Sequence, residues 1–305
     1  HHPTMHYVRP APLLDGRMVV HLALLICFLL VASIARAEEQ PAILWSLEGK
    51  TNTVYLLGSI HFLKPSDELP KKLRDAYADA ERLVMEIDMD DLDPLEVQQA
   101  TLQLGMLPDG ETLESNIGAE SYAKVSAYAR SLGFEPILLN RFRPWLAAIT
   151  LMQLQIVKMG FDPNAGIEQR FVALAARDKK EISGLETIRE QLAMLASLPP
   201  ARQREFLLYT VEDMQRASRE IDELVSAWRA GDTEGLAKIL AEGFKEYPDL
   251  YRPLTVERNR KWIEPIEALL DDTDDYLVIV GALHLVGEDS VIELLEKRGH
   301  RVVRR

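Results

Sequence analysis

The chain has 305 residues, 47% hydrophobic and 27% charged, enough apolar material for one large domain with a substantial core. Its formal charge of −13 argues against nucleic acid or an anionic membrane surface as partner. The single cysteine, Cys27, excludes a disulfide framework, a thiol nucleophile and a cysteine-held metal in whatever follows it.

Residues 1–17 start with His rather than Met and read as sequence upstream of a start at Met18 or Met5. Residues 18–37 follow a signal-peptide pattern: Arg17, an almost wholly apolar run at 18–34, then Ala35-Arg36-Ala37 as the cleavage site. The predicted destination is the periplasm or the medium. Left uncleaved, the same run would be an N-terminal membrane anchor. Residues 38–305 are expected to form a single domain.

Residues 43–47 and 53–57, joined by the turn-rich 48–52, predict a β-hairpin. Leu73, Ala76, Tyr77 and Ala80 fall at helical spacing and predict a helix over 70–80; residues 83–88 read as a buried strand reaching Glu86. The stretch 95–270 is mostly helical, with helices expected at 95–104, at 119–132 before Gly133, and at 144–159 as an apolar core helix. Asn164 can cap a helix to 177, and a short strand follows at 181–184. Thr187 and Glu190 form a capping box for a helix ending before Pro199. A long amphipathic helix over 201–230 stops at Gly231, another starts at Asp232, and 250–270 carries Arg258 to Trp262. The tail reads strand 276–280, helix 290–298 and strand 301–303.

The pattern of strand, Gly-x-x-His, helix and strand therefore occurs twice, at about 43–90 and about 274–305. The predicted fold is α/β (α+β): two pseudo-repeated β-GxxH-α-β units forming a central sheet, with a large helical insertion between them. The repeated motifs are Gly58-Ser59-Ile60-His61 and Gly281-Ala282-Leu283-His284, and their histidines are two of only three beyond the leader. A glycine at each strand end lets the backbone turn and swing the following side chain into the mouth of the sheet. Two neutral imidazoles with a carboxylate make an open site for zinc, manganese, iron or cobalt, acidifying a bound water. Without metal, the same groups could serve as base and orienter. The plainer alternative makes each histidine a turn residue bonded to backbone.

Glu86 ends a run that looks buried on both faces, so its carboxylate must be paired, metal-bound or at a rim. Glu186 and Glu168 precede or open helices, where the helix dipole alone would favour a carboxylate. Arg258 and Arg260, near Trp262, could stabilise an oxyanion or form a solvated helix face. His300, behind Gly299, reads as structural. No H-E-x-x-H, Gly-x-Ser-x-Gly, Walker loop or dinucleotide fingerprint is present.

Taken in order, Tyr55 to His61, Leu83-Val84-Met85-Glu86, Gly166-Ile167-Glu168-Gln169-Arg170-Phe171, Gly184-Leu185-Glu186-Thr187, Glu257-Arg258-Asn259 and Val280 to Gly287 resemble the TraB/GumN family, which includes the Tiki proteases. The resemblance covers about residues 43–303. It implies an erythromycin-esterase/ChaN-like fold of two pseudo-repeats and a metal-dependent peptidase using manganese or cobalt. His61, His284 and Glu86 would then be metal or catalytic residues, with Glu186 and Arg258 beside them, acting on a peptide or protein. Relatives that sequester peptide pheromones or bind haem imply a second reading, a binding protein for a peptide or haem-like ligand. A metal-free esterase-type hydrolase is the third.

Overall fold

The computed structural model of the protein describes residues 41–89, 91–162 and 166–305. The leader expectations and the Asn164 cap lie outside the described residues. Strands β1 (Leu44–Glu48) and β2 (Thr53–Ser59) form the expected antiparallel hairpin, with Leu44 opposite Leu57 and Glu48 opposite Thr53. Asn52 locks the turn, its amide donating to the carbonyls of Leu269 and Asp274 at 2.8 and 2.7 Å. Helix α1 (Lys71–Asp79) buries Leu73, Ala76 and Tyr77, the residues whose spacing predicted it, and leads into β3 (Arg82–Ile87).

The middle of the chain supplies α2 (Pro94–Gly105), α3 (Leu113–Ile117), α4 (Ala119–Ser131), α5 (Pro144–Lys158) and α6 (Ile167–Asp178). After β4 (Glu181–Glu186) come α7 (Ile188–Ala196), α8 (Pro200–Arg229), α9 (Thr233–Phe244), α10 (Pro248–Tyr251) and α11 (Glu257–Leu269). The chain closes with β5 (Tyr276–Gly281), α12 (Val291–Lys297) and β6 (Val303–Arg304).

The six strands form one sheet in the order β4-β3-β5-β2-β1-β6. β5 lies parallel to both β3 and β2, and β4 runs parallel to β3. Strands from opposite ends of the sequence are thus neighbours at the centre of the sheet. The two repeats cross in opposite directions: β2-α1-β3 steps past β5, and β5-α12-β6 steps past β2 and β1. Val54, Leu56, Leu57, Leu83, Leu277, Val278 and Ile279 are fully buried, as near-continuous apolar strands in a covered sheet require.

A second apolar cluster gathers Trp145, Ala148 and Leu151 of α5 with Val125 and Ala129 of α4 and Leu207 and Val211 of α8. Helix α5 is the expected core helix, burying Trp145, Ala147, Ala148 and Leu151, with Val157 exposed on its other face. Two elements differ from expectation. β4 runs two residues beyond 184, so Glu186 is a strand-end residue. Within the mostly helical stretch to 270, the segment that carries Arg258 to Trp262 is preceded by a π-turn at Arg252–Val256 containing Pro253, which has no N–H to give to a regular ladder.

Candidate active site

Parallel pairing of β2 with β5 sets Gly58 opposite Val280 and Ser59 opposite Gly281. The two Gly-x-x-His segments therefore leave the sheet side by side, at the carboxyl ends of adjacent parallel strands, where open α/β sheets hold ligands. The glycines act differently from expectation. Gly58 allows close approach: a Cβ there would lie 2.5 Å from Ile43 Cγ2 and 3.0 Å from Ala282 Cα. Gly281 has φ −54°, and a Cβ would meet only ordinary contacts. Neither glycine takes a left-handed conformation. The residues beside the histidines are planted in the helical cluster, Phe62 edge-on to Phe161 at 5.5 Å and Leu283 packed against it. The site lies at the seam between the sheet core and the helical core.

His61 is exposed and lines a cleft of about 280 Å³ together with Glu86, Glu168, Gln153, Gln169 and Gln191. Met85, Met89 and Ile156 supply its apolar wall. Glu168, in the first turn of α6, also accepts a hydrogen bond from Ser59 Oγ, which ties that helix start to the tip of β2.

His284 is only 4% exposed. Its Nδ1 lies 2.7 Å from Asn259 Oδ1, while Asn259 Nδ2 donates to the Asp289 carbonyl at 2.9 Å. That second bond fixes the amide so that Oδ1 accepts, which puts the imidazole proton on Nδ1 and leaves Nε2 with its lone pair. Nε2 faces Arg258 Nη1 at 3.4 Å and Glu86 Oε1 at 4.0 Å, and the ring lies 4.5 Å from that of Trp262. Burial, with Arg258 adding and Glu86 opposing, lowers its pKa to about 4, so the ring is neutral near pH 7.

Arg258 joins the cluster. Nη2 donates to Glu86 Oε1 at 2.6 Å and to Glu186 Oε1 at 2.7 Å, and the guanidinium lies 5.0 Å from the Trp262 ring centroid. Its side chain is 13% exposed, so it belongs neither to a solvated face nor to a surface pair. The π-turn directly before α11 sets the register that presents Arg258 and Asn259 to this cluster. Burial pushes the Glu86 carboxyl up, but His284 when protonated, Arg258 and the Gly281 amide, which donates at 2.8 Å, hold it below the usual range. Two carboxylates, one guanidinium and a neutral imidazole leave one negative charge in excess.

The structure thus brings Glu86, Glu186, Arg258 and His284 together, and Glu86 also faces the cleft that His61 lines. Arg260 is exposed, and His300 pairs with Glu267 at 2.6 Å. Asn259, Trp262, Ser59 and the Gly281 amide received no role from the sequence. Their signal was position alone: Ser59 and Gly281 inside the two Gly-x-x-His motifs, Asn259 beside Arg258, and Trp262 one turn beyond it. As to a metal, the expected donors His61, His284 and Glu86 are suitable types, as is Glu186, but their arrangement does not fit an ion. Arg258 lies against His284, Glu86 and Glu186, and among the described residues no three His, Cys, Asp or Glu side chains are grouped to hold one.

The chain belongs to the TraB/PrgY/gumN family, whose model matches residues 43–304. It is 28% identical over 256 residues to the uncharacterized protein YbaP of Shigella flexneri, covering 84% of this chain and 92% of that protein. The uncharacterized protein YbaP of Escherichia coli K12 gives the same identity and coverage. An uncharacterized protein of Treponema pallidum is 26% identical over 271 residues, 83% of this chain and 80% of its own length. No solved structure matches the chain.

Proposed function

We propose that this member of the TraB/PrgY/gumN family is an exported hydrolase that cleaves peptide bonds by attack of water in the cleft between His61 and Glu86. Export rests on the signal-peptide pattern of residues 18–37. The observation that carries the hydrolase reading is the Arg258–Glu86–Glu186–His284 cluster, which reaches the cleft through Glu86. Desolvating three ionic groups costs several kcal/mol, roughly, and apolar residues would serve the core as well. Such a cluster reaching an open cleft is the mark of a chemical site.

The roles follow from position. Arg258 keeps Glu86 ionised, and Glu86 accepts a hydrogen bond from the attacking water. His61, in contact with solvent, takes the water's proton and returns it to the leaving amine. Gln153, Gln169 and Gln191 offer amide donors and acceptors that match a peptide backbone, and Met85, Met89 and Ile156 take an apolar side chain. His284 holds its Nε2 lone pair against Arg258 and is a positioning residue. The manganese, cobalt or zinc centre implied by the family resemblance would require Arg258 to move aside, and no step is routed through it.

The test is digestion of a peptide library by the wild-type chain, His61→Ala and Glu86→Gln, read by mass spectrometry. Products are expected from the wild type, and each variant should lose about 100-fold or more in rate while keeping its circular dichroism spectrum. Tight capture of peptide or haem with no product would instead favour the binding-protein reading.

A further inference from the structure

We infer that Arg258 is the resident cation of this site, occupying the position among Glu86, Glu186 and His284 that a divalent ion would need. The inference deepens the hydrolase reading and rests on the same cluster, but it concerns metal occupancy rather than turnover. The distances carry it. Two ligands of one tetrahedral ion, each about 2.0–2.2 Å from it, stand about 3.3–3.6 Å apart. His284 Nε2 and Glu86 Oε1 are 4.0 Å apart, wider than that spacing, with Arg258 nitrogens 3.4 Å from the first and 2.6 Å from the second. Glu186 Oε1 is turned onto the same Nη2 at 2.7 Å, and Glu86 Oε2 is taken by the Gly281 amide. Each donor atom that could ligate an ion is therefore directed at the guanidinium or at backbone.

The guanidinium is also clamped. Besides its two ion pairs it lies against Trp262, which is itself buried and packed on the His284 ring. Arginine stays charged at any ordinary pH, so the cluster cannot shed this cation by titration as a lysine could. A dication entering beside it would meet a positive charge a few ångströms away in a poorly screened setting. Binding of the ion and retention of Arg258 are mutually exclusive.

Removing the guanidinium should then expose a donor set of two carboxylates and one neutral imidazole, a set suited to zinc, manganese or cobalt. The experiment dialyses the full chain against Mn²⁺, Co²⁺ or Zn²⁺ and measures bound metal by elemental analysis and affinity by calorimetry. Five proteins are compared: wild type, His284→Ala, Arg258→Ala, Arg258→Ala with His284→Ala, and Arg258→Met. The wild type should hold no equivalent that depends on His284. Arg258→Ala should gain one equivalent, at least tenfold tighter than any binding by the wild type, and lose it again in the double variant. Arg258→Met keeps an apolar stem against Trp262 and is read in the same way if the alanine variant does not fold. A wild-type equivalent abolished by His284→Ala overturns the inference, and so does a folded Arg258 variant that gains no metal. Failure of wild-type peptide cleavage would count against the hydrolase reading alone.

Discussion

Replacing His284 by Gln should flatten the acid side of the protein's stability profile by an amount that follows from burial of the ring. In the folded chain His284 titrates at about 4, against an ordinary value of 6.5. Between those values the unfolded chain binds a proton that the folded chain does not. Stability therefore falls as pH drops through that window and is fully present above it. Linkage gives a loss of about 2 kcal/mol between pH 7 and pH 5, rising to about 3 kcal/mol at pH 4. Glu86, whose folded pKa is lowered, adds a loss of the same sign, but only once pH falls into the ordinary carboxylate range and below it, so pH 5–7 isolates the histidine. Urea unfolding of wild type and His284→Gln at pH 7, 6 and 5, with EDTA present, is the assay. With a slope of about 2–3 kcal/mol per M, the wild-type midpoint should drop by about 0.7–1 M more than the variant's over that range. Equal drops in the two proteins would show that His284 is not held neutral by burial, and the assignment of its Nε2 as a lone-pair acceptor would go with it.

Two further outcomes test the geometry around the histidines. Gly58→Ala should destabilise by about 1–3 kcal/mol, because its Cβ would drive into Ile43 and the Ala282 backbone, whereas Gly281→Ala should leave the thermal midpoint nearly unchanged; a calorimetric scan of both decides it. Asn259→Leu should cost about 1–3 kcal/mol by stranding the buried Nδ1–H of His284. It should also shift the ring toward the other tautomer, visible in the imidazole nitrogen chemical shifts, whereas Asn259→Asp should keep the proton on Nδ1. An unchanged tautomer in Asn259→Leu would refute the orienting role of that amide.

The elements themselves were legible in the sequence because their signals are local. Leu73, Ala76 and Tyr77 recur at helical spacing, Thr187 caps α7, and Gly133, Gly231 and Gly299 each take the left-handed conformation just past a helix end. The doubled Gly-x-x-His pattern likewise marked the ends of two strands. It could not tell the glycines apart. Gly58 is demanded by Ile43 and Ala282, neither of which is near it in sequence, while Gly281 sits beside Glu86 with room to spare.

What the sequence determined alone was the set of parts: six strands, a helical middle, and the polar residues sitting at strand ends. Which of those residues meet was decided by the sheet order, because β5 inserts between β3 and β2 and so brings residues 86 and 281, 195 positions apart, into hydrogen-bond contact. Arg258 shows the same limit most clearly. By charge and place on an amphipathic helix it is indistinguishable from its exposed neighbour Arg260, and only the likeness of Glu257-Arg258-Asn259 to the family motif singled it out. Only the π-turn ahead of α11 and the convergence of β3 and β4 turn one of the two inward onto a pair of carboxylates. Side-chain charge is written residue by residue, but the partner that satisfies it is chosen by packing across the whole chain.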